Sequence, residues 1–226
     1  MTYDLFIGDK TYSSWSLRGW LMFRKFDIPV TEHMVGLYTG TMARDLADLA
    51  PARLAPALRT PEGTVVGESL AMAETLAERH PHAGLWPVDR AQRATARWLV
   101  AEMCAGFAAL RGVCPMQLMR IYQGFEASDP VRADLARIET LFAHARRVSG
   151  APTGPLFGDY CLADVFYTPV AARIIGYALP VSPATRDYAL MLLSDPLVRQ
   201  WRADGLRVTY DPEPYVLDLP TKEWPV

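Results

Sequence analysis

The chain has only three cysteines and four histidines. Cys104, Cys114 and Cys161 are odd in number and widely spaced, and they form no CxxC pair or Cys/His cluster. That pattern argues against both a zinc site and a disulfide framework. The histidines at 33, 80, 82 and 144 are scattered, and His80 and His82 flank Pro81 as loop residues do. No metal is expected. Excess charge is also lacking: the net charge is -2, with no basic stripe, so nucleic-acid binding has no electrostatic support. No apolar run approaches the ~20 residues that span a bilayer, so no membrane association is expected. The opening MTYDLFIGDK has neither the charged segment nor the apolar core of a signal peptide. A cytoplasmic location follows as the expectation.

What is present is the composition of a folded protein, half hydrophobic and about a fifth charged in 226 residues. Its two halves follow different patterns. In the first, YDLFIG reads as a strand, residues 15–26 as an amphipathic helix carrying Leu17, Leu21 and Phe26, and TEHMVGL as a second strand. TMARDLADL gives a short helix before Pro51. PALRT and TVVGES are two strands joined at Pro61-Glu62-Gly63, and a helix from Ser69 to about Arg79 closes the unit. The order βαβαββα predicts a parallel first pair and an antiparallel hairpin. PHAGLWPVD reads as a linker over residues 82–90. Beyond it, periodic stretches at 91–111, 131–148, 162–178 and 183–203 predict an all-helical second domain, 91–226. The tail from Tyr210, with four prolines in 17 residues, is expected to run extended across the interface between the two domains.

Three short segments could carry chemistry. Tyr12-Ser13-Ser14-Trp15-Ser16-Leu17-Arg18 lies where the first helix begins. Its serines are N-cap candidates, and the same geometry offers free N–H groups to an anion such as a thiolate. In Leu54-Ala55-Pro56-Ala57-Leu58 a proline opens an apolar strand, which confines it to an edge or a strand start. In Gly67-Glu68-Ser69, Ser69 would cap the third helix, with Glu68 just outside it. A capped helix start beside a carboxylate suits the α-amino acid end of a ligand.

Together these segments resemble the glutathione transferase family, and ESLAMAETLAERHP is similar to its glutathione-site signature. GDYCLADVFYTPV resembles the family's helix start with an internal aspartate, here Asp164, although Cys161 stands where serine or threonine is usual. AEMCAGFAALR and QRATARW resemble the helices that line the second-substrate pocket. The resemblance implies an α+β fold: a thioredoxin-like glutathione-binding domain over 1–81, followed by the helical domain.

It further implies a serine-type enzyme near the theta and zeta classes that transfers glutathione, its co-substrate, to a small hydrophobic alkyl or aryl electrophile. Ser13 or Ser14 would hydrogen-bond the thiol, with Ser14 preferred and Ser16 behind. Ala55 would pair the cysteinyl backbone, Pro56 would be cis, and Glu68 and Ser69 would hold the γ-glutamyl end. Tyr12 reads as a packing residue. Leu54 occupies a position where many relatives have lysine, which leaves the glycine end without an assigned partner. Trp98, Met103, Phe107, Arg111 and Met116 are candidates for the second-substrate pocket. A homodimer is expected by the same resemblance. The alternatives are a glutathione-dependent cis-trans isomerase of the maleylacetoacetate type and a non-catalytic glutathione-binding protein.

Overall fold

A computed structural model describes residues 2–212 and 214–225. Strand β1 (Tyr3–Ile7) is central in a four-stranded sheet of order β2-β1-β3-β4, with β2 at Val30–Met34, β3 at Ala57–Arg59 and β4 at Val65–Val66. β1 and β2 run parallel, while β3 is antiparallel to both β1 and β4. Alternation in YDLFI sends Tyr3, Leu5 and Ile7 into the main core, and Phe6 packs against a smaller cluster on the other face. That smaller cluster lies under helix α2 (Met42–Asp45) and a 3-10 turn at Ala47–Leu49. The short helix expected before Pro51 is therefore split in two.

Helix α1 (Ser14–Arg24) is not amphipathic as expected. Nine of its residues are buried, including Ser16 and Arg18. The cause is a second partner, because α1 packs against β1 on one side and helix α7 (Leu162–Gly176) on the other. Helix α3 (Ser69–Arg79) spans the predicted residues and buries Ser69, Met72, Ala73 and Leu76. Its N-cap, however, is Glu68, and Ser69 is already helical.

The second half is helical, with two of its predicted stretches broken. Helix α4 (Arg90–Ala105) stops at Gly106, Phe107 takes a left-handed φ of 57°, and α5 (Ala108–Val113) follows. Arg111 makes the break tenable, since its Nη1 donates to the carbonyls of Cys104 and Gly106. After α6 (Asp129–Ser149) comes α7, buried over all 15 residues. Helices α8 (Pro183–Leu193) and α9 (Pro196–Gly205) divide the last stretch at Asp195, which caps α9 by accepting from Leu197 N at 2.9 Å. Two short strands were not anticipated: β5 (Ile121–Tyr122) pairs with β6 (Thr221–Lys222) in the tail. Among the described residues, no helix is long and apolar enough to cross a membrane.

The start of α7 depends on Asp164. Cys161 is a weak cap, but the buried Asp164 carboxylate accepts from Cys161 N at 2.9 Å, Leu156 N at 3.2 Å and Tyr188 Oη at 2.8 Å. Burial pushes this carboxyl above the usual carboxylate range, against those hydrogen bonds. Replacing Asp164 by alanine strands two amides and a phenol in the core. The expected loss is about 3 kcal/mol or more of unfolding free energy, read from the urea midpoint of the variant.

Candidate active site

The site begins with the loop between β1 and α1. Asp9 is buried and accepts from the amides of Thr11 (2.7 Å) and Tyr12 (3.1 Å) and from the hydroxyl of Tyr210. From the other side, Thr11 Oγ1 donates to Gly205 O at 2.6 Å. A Cβ on Gly205 would sit 2.8 Å from Thr11 Oγ1, so only glycine lets α9 close on this loop. The chain then enters α1 in a fixed direction.

The three serines of the segment separate by role. Ser13 is the N-cap, and its hydroxyl accepts from Ser16 N at 3.2 Å and donates to Ser16 Oγ at 2.7 Å. Ser16 Oγ in turn accepts from Gly8 N at 2.9 Å, which ties the helix start to the end of β1. Ser14 is different. Neither its hydroxyl nor the amides of Ser14 and Trp15 make a hydrogen bond among the described residues. Ser14 is thus the free hydroxyl at an amide-rich helix terminus.

A cavity of about 360 Å³ opens at this terminus and is lined by Ser13, Ser14, Ala55, Pro56, Glu68 and Ser69 together. The Ala55–Pro56 bond is cis, as the resemblance implied. Ala55 lies just before β3, and neither its N–H nor its C=O is paired among the described residues. At the start of α3, Glu68 gives no side-chain cap. The first amides of that helix are therefore open beside the Glu68 carboxylate.

Of the candidates for a second-substrate pocket, Arg111 and Met116 line the cavity. Trp98, Met103 and Phe107 do not. Trp98 is half-exposed and donates to Glu102, while Met103 and Phe107 are packed in the helical core. Sequence reasoning missed Trp15, Leu37, Tyr38, Met42, Arg173 and Tyr215, which are among the other residues of the wall. A signal for Arg173 existed: it is the single ionised side chain in FYTPVAARIIGY, an otherwise apolar or neutral stretch.

Tyr12 also lines the cavity, but its hydroxyl is occupied, lying 2.9 Å from Asp211 Oδ1 and 3.1 Å from Tyr210 O. Burial, and then the Asp211 carboxylate, raise its phenol well above the ordinary range. It bolts the tail down. Tyr12, Tyr38, Tyr210 and Tyr215 cluster there, with Tyr12 and Tyr215 ring centroids 4.4 Å apart. The tail thus crosses between the two halves, as expected.

The two neighbouring serines predict different losses. Ser13→Ala removes the cap of α1 and should lower unfolding free energy by about 1 kcal/mol in denaturant titration. Ser14→Ala removes no hydrogen bond seen within the chain and should leave the denaturation midpoint in place.

Residues 12–79 match the family model described as glutathione S-transferase, N-terminal domain. Among curated proteins, none matches the sequence. Solved structures do match in shape. One is a glutathione transferase homolog from Burkholderia GL BGR1 with bound glutathione, at TM-score 0.66 and 22% identity, covering 91% of this chain and 98% of that one. A glutathione transferase from Methylococcus capsulatus str. Bath aligns at TM-score 0.66 and 19% identity, covering 92% and 100%. Glutathione transferase Omega 3C from Trametes versicolor aligns at 0.65 and 20%, covering 96% and 92%. Residues 12–79 thus match the model of a glutathione S-transferase N-terminal domain, and the chain as a whole has the fold of the glutathione transferases.

Proposed function

We propose that this protein is a serine-type glutathione transferase in which Ser14 donates a hydrogen bond to the glutathione thiolate. The observation that carries this reading is the unpartnered Ser14 hydroxyl beside the free amides of α1, in the same cavity as Ala55, Glu68 and Ser69. Glutathione fits that order of groups. Its γ-glutamyl carboxylate meets the open amides of α3 and Ser69, and its amine meets Glu68. Its cysteinyl backbone pairs with the free N–H and C=O of Ala55 as one more antiparallel strand. The sulfur then falls at the N-terminus of α1.

A free thiol with a pKa of about 8.5 is only about 3% ionised at pH 7. Bringing it to about 6.5 leaves roughly three quarters as thiolate. One hydrogen bond to a charged acceptor contributes roughly 1.5–3 kcal/mol, and a helix terminus adds about 0.3–1 kcal/mol, which suffices. Ser14 acts as a donor and not as a base, because a serine hydroxyl does not titrate near neutrality. The thiolate attacks the electrophilic carbon and forms a C–S bond. For an aryl halide, the electrons of the carbon–halogen bond leave with the halide.

The test is an ultraviolet titration of the thiolate of bound glutathione across pH. The bound thiol is expected to ionise well below the free one, and Ser14→Ala should return it toward the free value. Turnover at pH 7 should fall about ten- to a hundredfold, far more than glutathione affinity, which the same pKa shift changes by about fourfold at most. Unchanged turnover in that variant would remove Ser14 from the mechanism.

A further inference from the structure

Three arginines gather at the cavity, and among the described residues no carboxylate stands between them. Arg111 of α5 and Arg173 of α7 line it, and Arg18 of α1 lies behind, fully buried between the rings of Trp15 (5.5 Å) and Phe166 (5.3 Å). None of the three enters an ion pair among the described residues. Arg18 Nε and Nη1 and Arg111 Nε are buried and unpartnered. Burial first, and the neighbouring guanidiniums after it, push Arg18 and Arg173 down to about 10, so both remain cationic at neutral pH.

Structural duties account for part of this cluster. Arg173 donates through Nε to Cys114 O at 2.9 Å and through Nη1 to Pro169 O at 3.0 Å, and Arg111 holds the end of α4. The second terminal nitrogen of each, Nη2, makes no hydrogen bond among the described residues. Uncompensated buried charge costs on the order of several kcal/mol, and carbonyl contacts offset only part of that. Among the described residues Glu68 is the only carboxylate lining the cavity, and it belongs to the N-terminal half.

We propose that Arg111 and Arg173 form a carboxylate-binding subsite for the second substrate, so that the preferred electrophile is an organic anion. This rests on the glutathione transferase reading. Of glutathione's two carboxylates the γ-glutamyl one has the amides of α3, and the glycine one would betray itself as a loss of glutathione affinity when an arginine is removed. The arginines come from the helical half, and Arg111 lies over Trp15, the residue after Ser14 (guanidinium to ring 4.9 Å). An electrophile held there by a carboxylate has its reactive carbon close to the sulfur. Guanidinium suits the task because it presents paired N–H groups to the two oxygens.

The test is calorimetric binding of three ligands: glutathione, S-(4-carboxy-2,6-dinitrophenyl)glutathione, and the methyl ester of the aryl carboxyl of that conjugate. The acid should bind the unmutated protein about tenfold more tightly than the ester, equivalent to about 1.4 kcal/mol. Arg111→Met should abolish this preference without weakening glutathione, and Arg111→Lys should retain part of it. Equal binding of acid and ester overturns the proposal, and this comparison needs no variant to fold. A parallel loss of glutathione affinity in Arg111→Met also overturns it, because the arginine would then serve glutathione's own carboxylate. Failure of glutathione itself to bind is a separate result, which removes the transferase reading and this proposal with it.

Discussion

The close approach of α1 to the start of β3 is the contact on which the site's geometry depends. A Cβ on Gly19 would stand 3.0 Å from Pro56 Cβ and 3.1 Å from its Cγ, so the helix lies directly on the proline ring. Ser14 is just over one helical turn before Gly19, and Ala55 immediately precedes Pro56. That single contact therefore sets the distance between the free hydroxyl and the unpaired backbone of Ala55. A larger residue at 19 would tilt the helix end away from the strand start. The opposite side of α1 is equally constrained, because Arg18 lies against Phe166 of α7 and Trp20 against Trp201 of α9. A helix held on both faces cannot swivel, and its terminal amides keep one orientation toward the cavity.

Much of this was legible in the sequence because it is local. The helix Ser69–Arg79 and the strand ending at Ile7 are announced by periodicity and by the residues that bound them. The serine segment, the Ala55–Pro56 pair and Glu68-Ser69 could be read as one site because their order along the chain resembles a known pattern. The cap of α3 was misplaced by one residue, since a serine beside a glutamate at a helix start fits either frame. The role of α1 was misread more deeply. Its surroundings depend on α7, some 150 residues away, and no window of sequence contains both.

The pocket wall shows the same limit. Periodicity identifies the buried face of α4, but it does not say which buried residues open onto a cavity and which pack solidly. Met103 is fully buried in the core, whereas Met116 lies at the cavity edge. The tail was harder still. Tyr215 enters the wall from a proline-rich segment without periodicity, brought there by Tyr38, Tyr122 and the β5–β6 pair. Composition predicted that this segment would be extended. It could not supply the register that places a tyrosine over the site.

Electrostatics unites the two ends of the cavity. A thiolate repels an approaching anion, and at close range in a partly desolvated site that repulsion would slow the encounter that the thiolate exists to make. At an effective dielectric near 20, two like charges about 4 Å apart cost on the order of 4 kcal/mol. Two guanidiniums in the cavity wall, with a third behind them, oppose that repulsion. In the proposed transferase they would favour a thiolate and an anionic substrate together, where neutral walls would make each disfavour the other. The same arrangement is poorly matched to a neutral electrophile, which would cover both Nη2 groups without giving them an acceptor. The arginines that make an empty cavity costly to fold would in this way become the basis of its selectivity, because the stabilisation missing from the free protein would be supplied only by a ligand of the right charge.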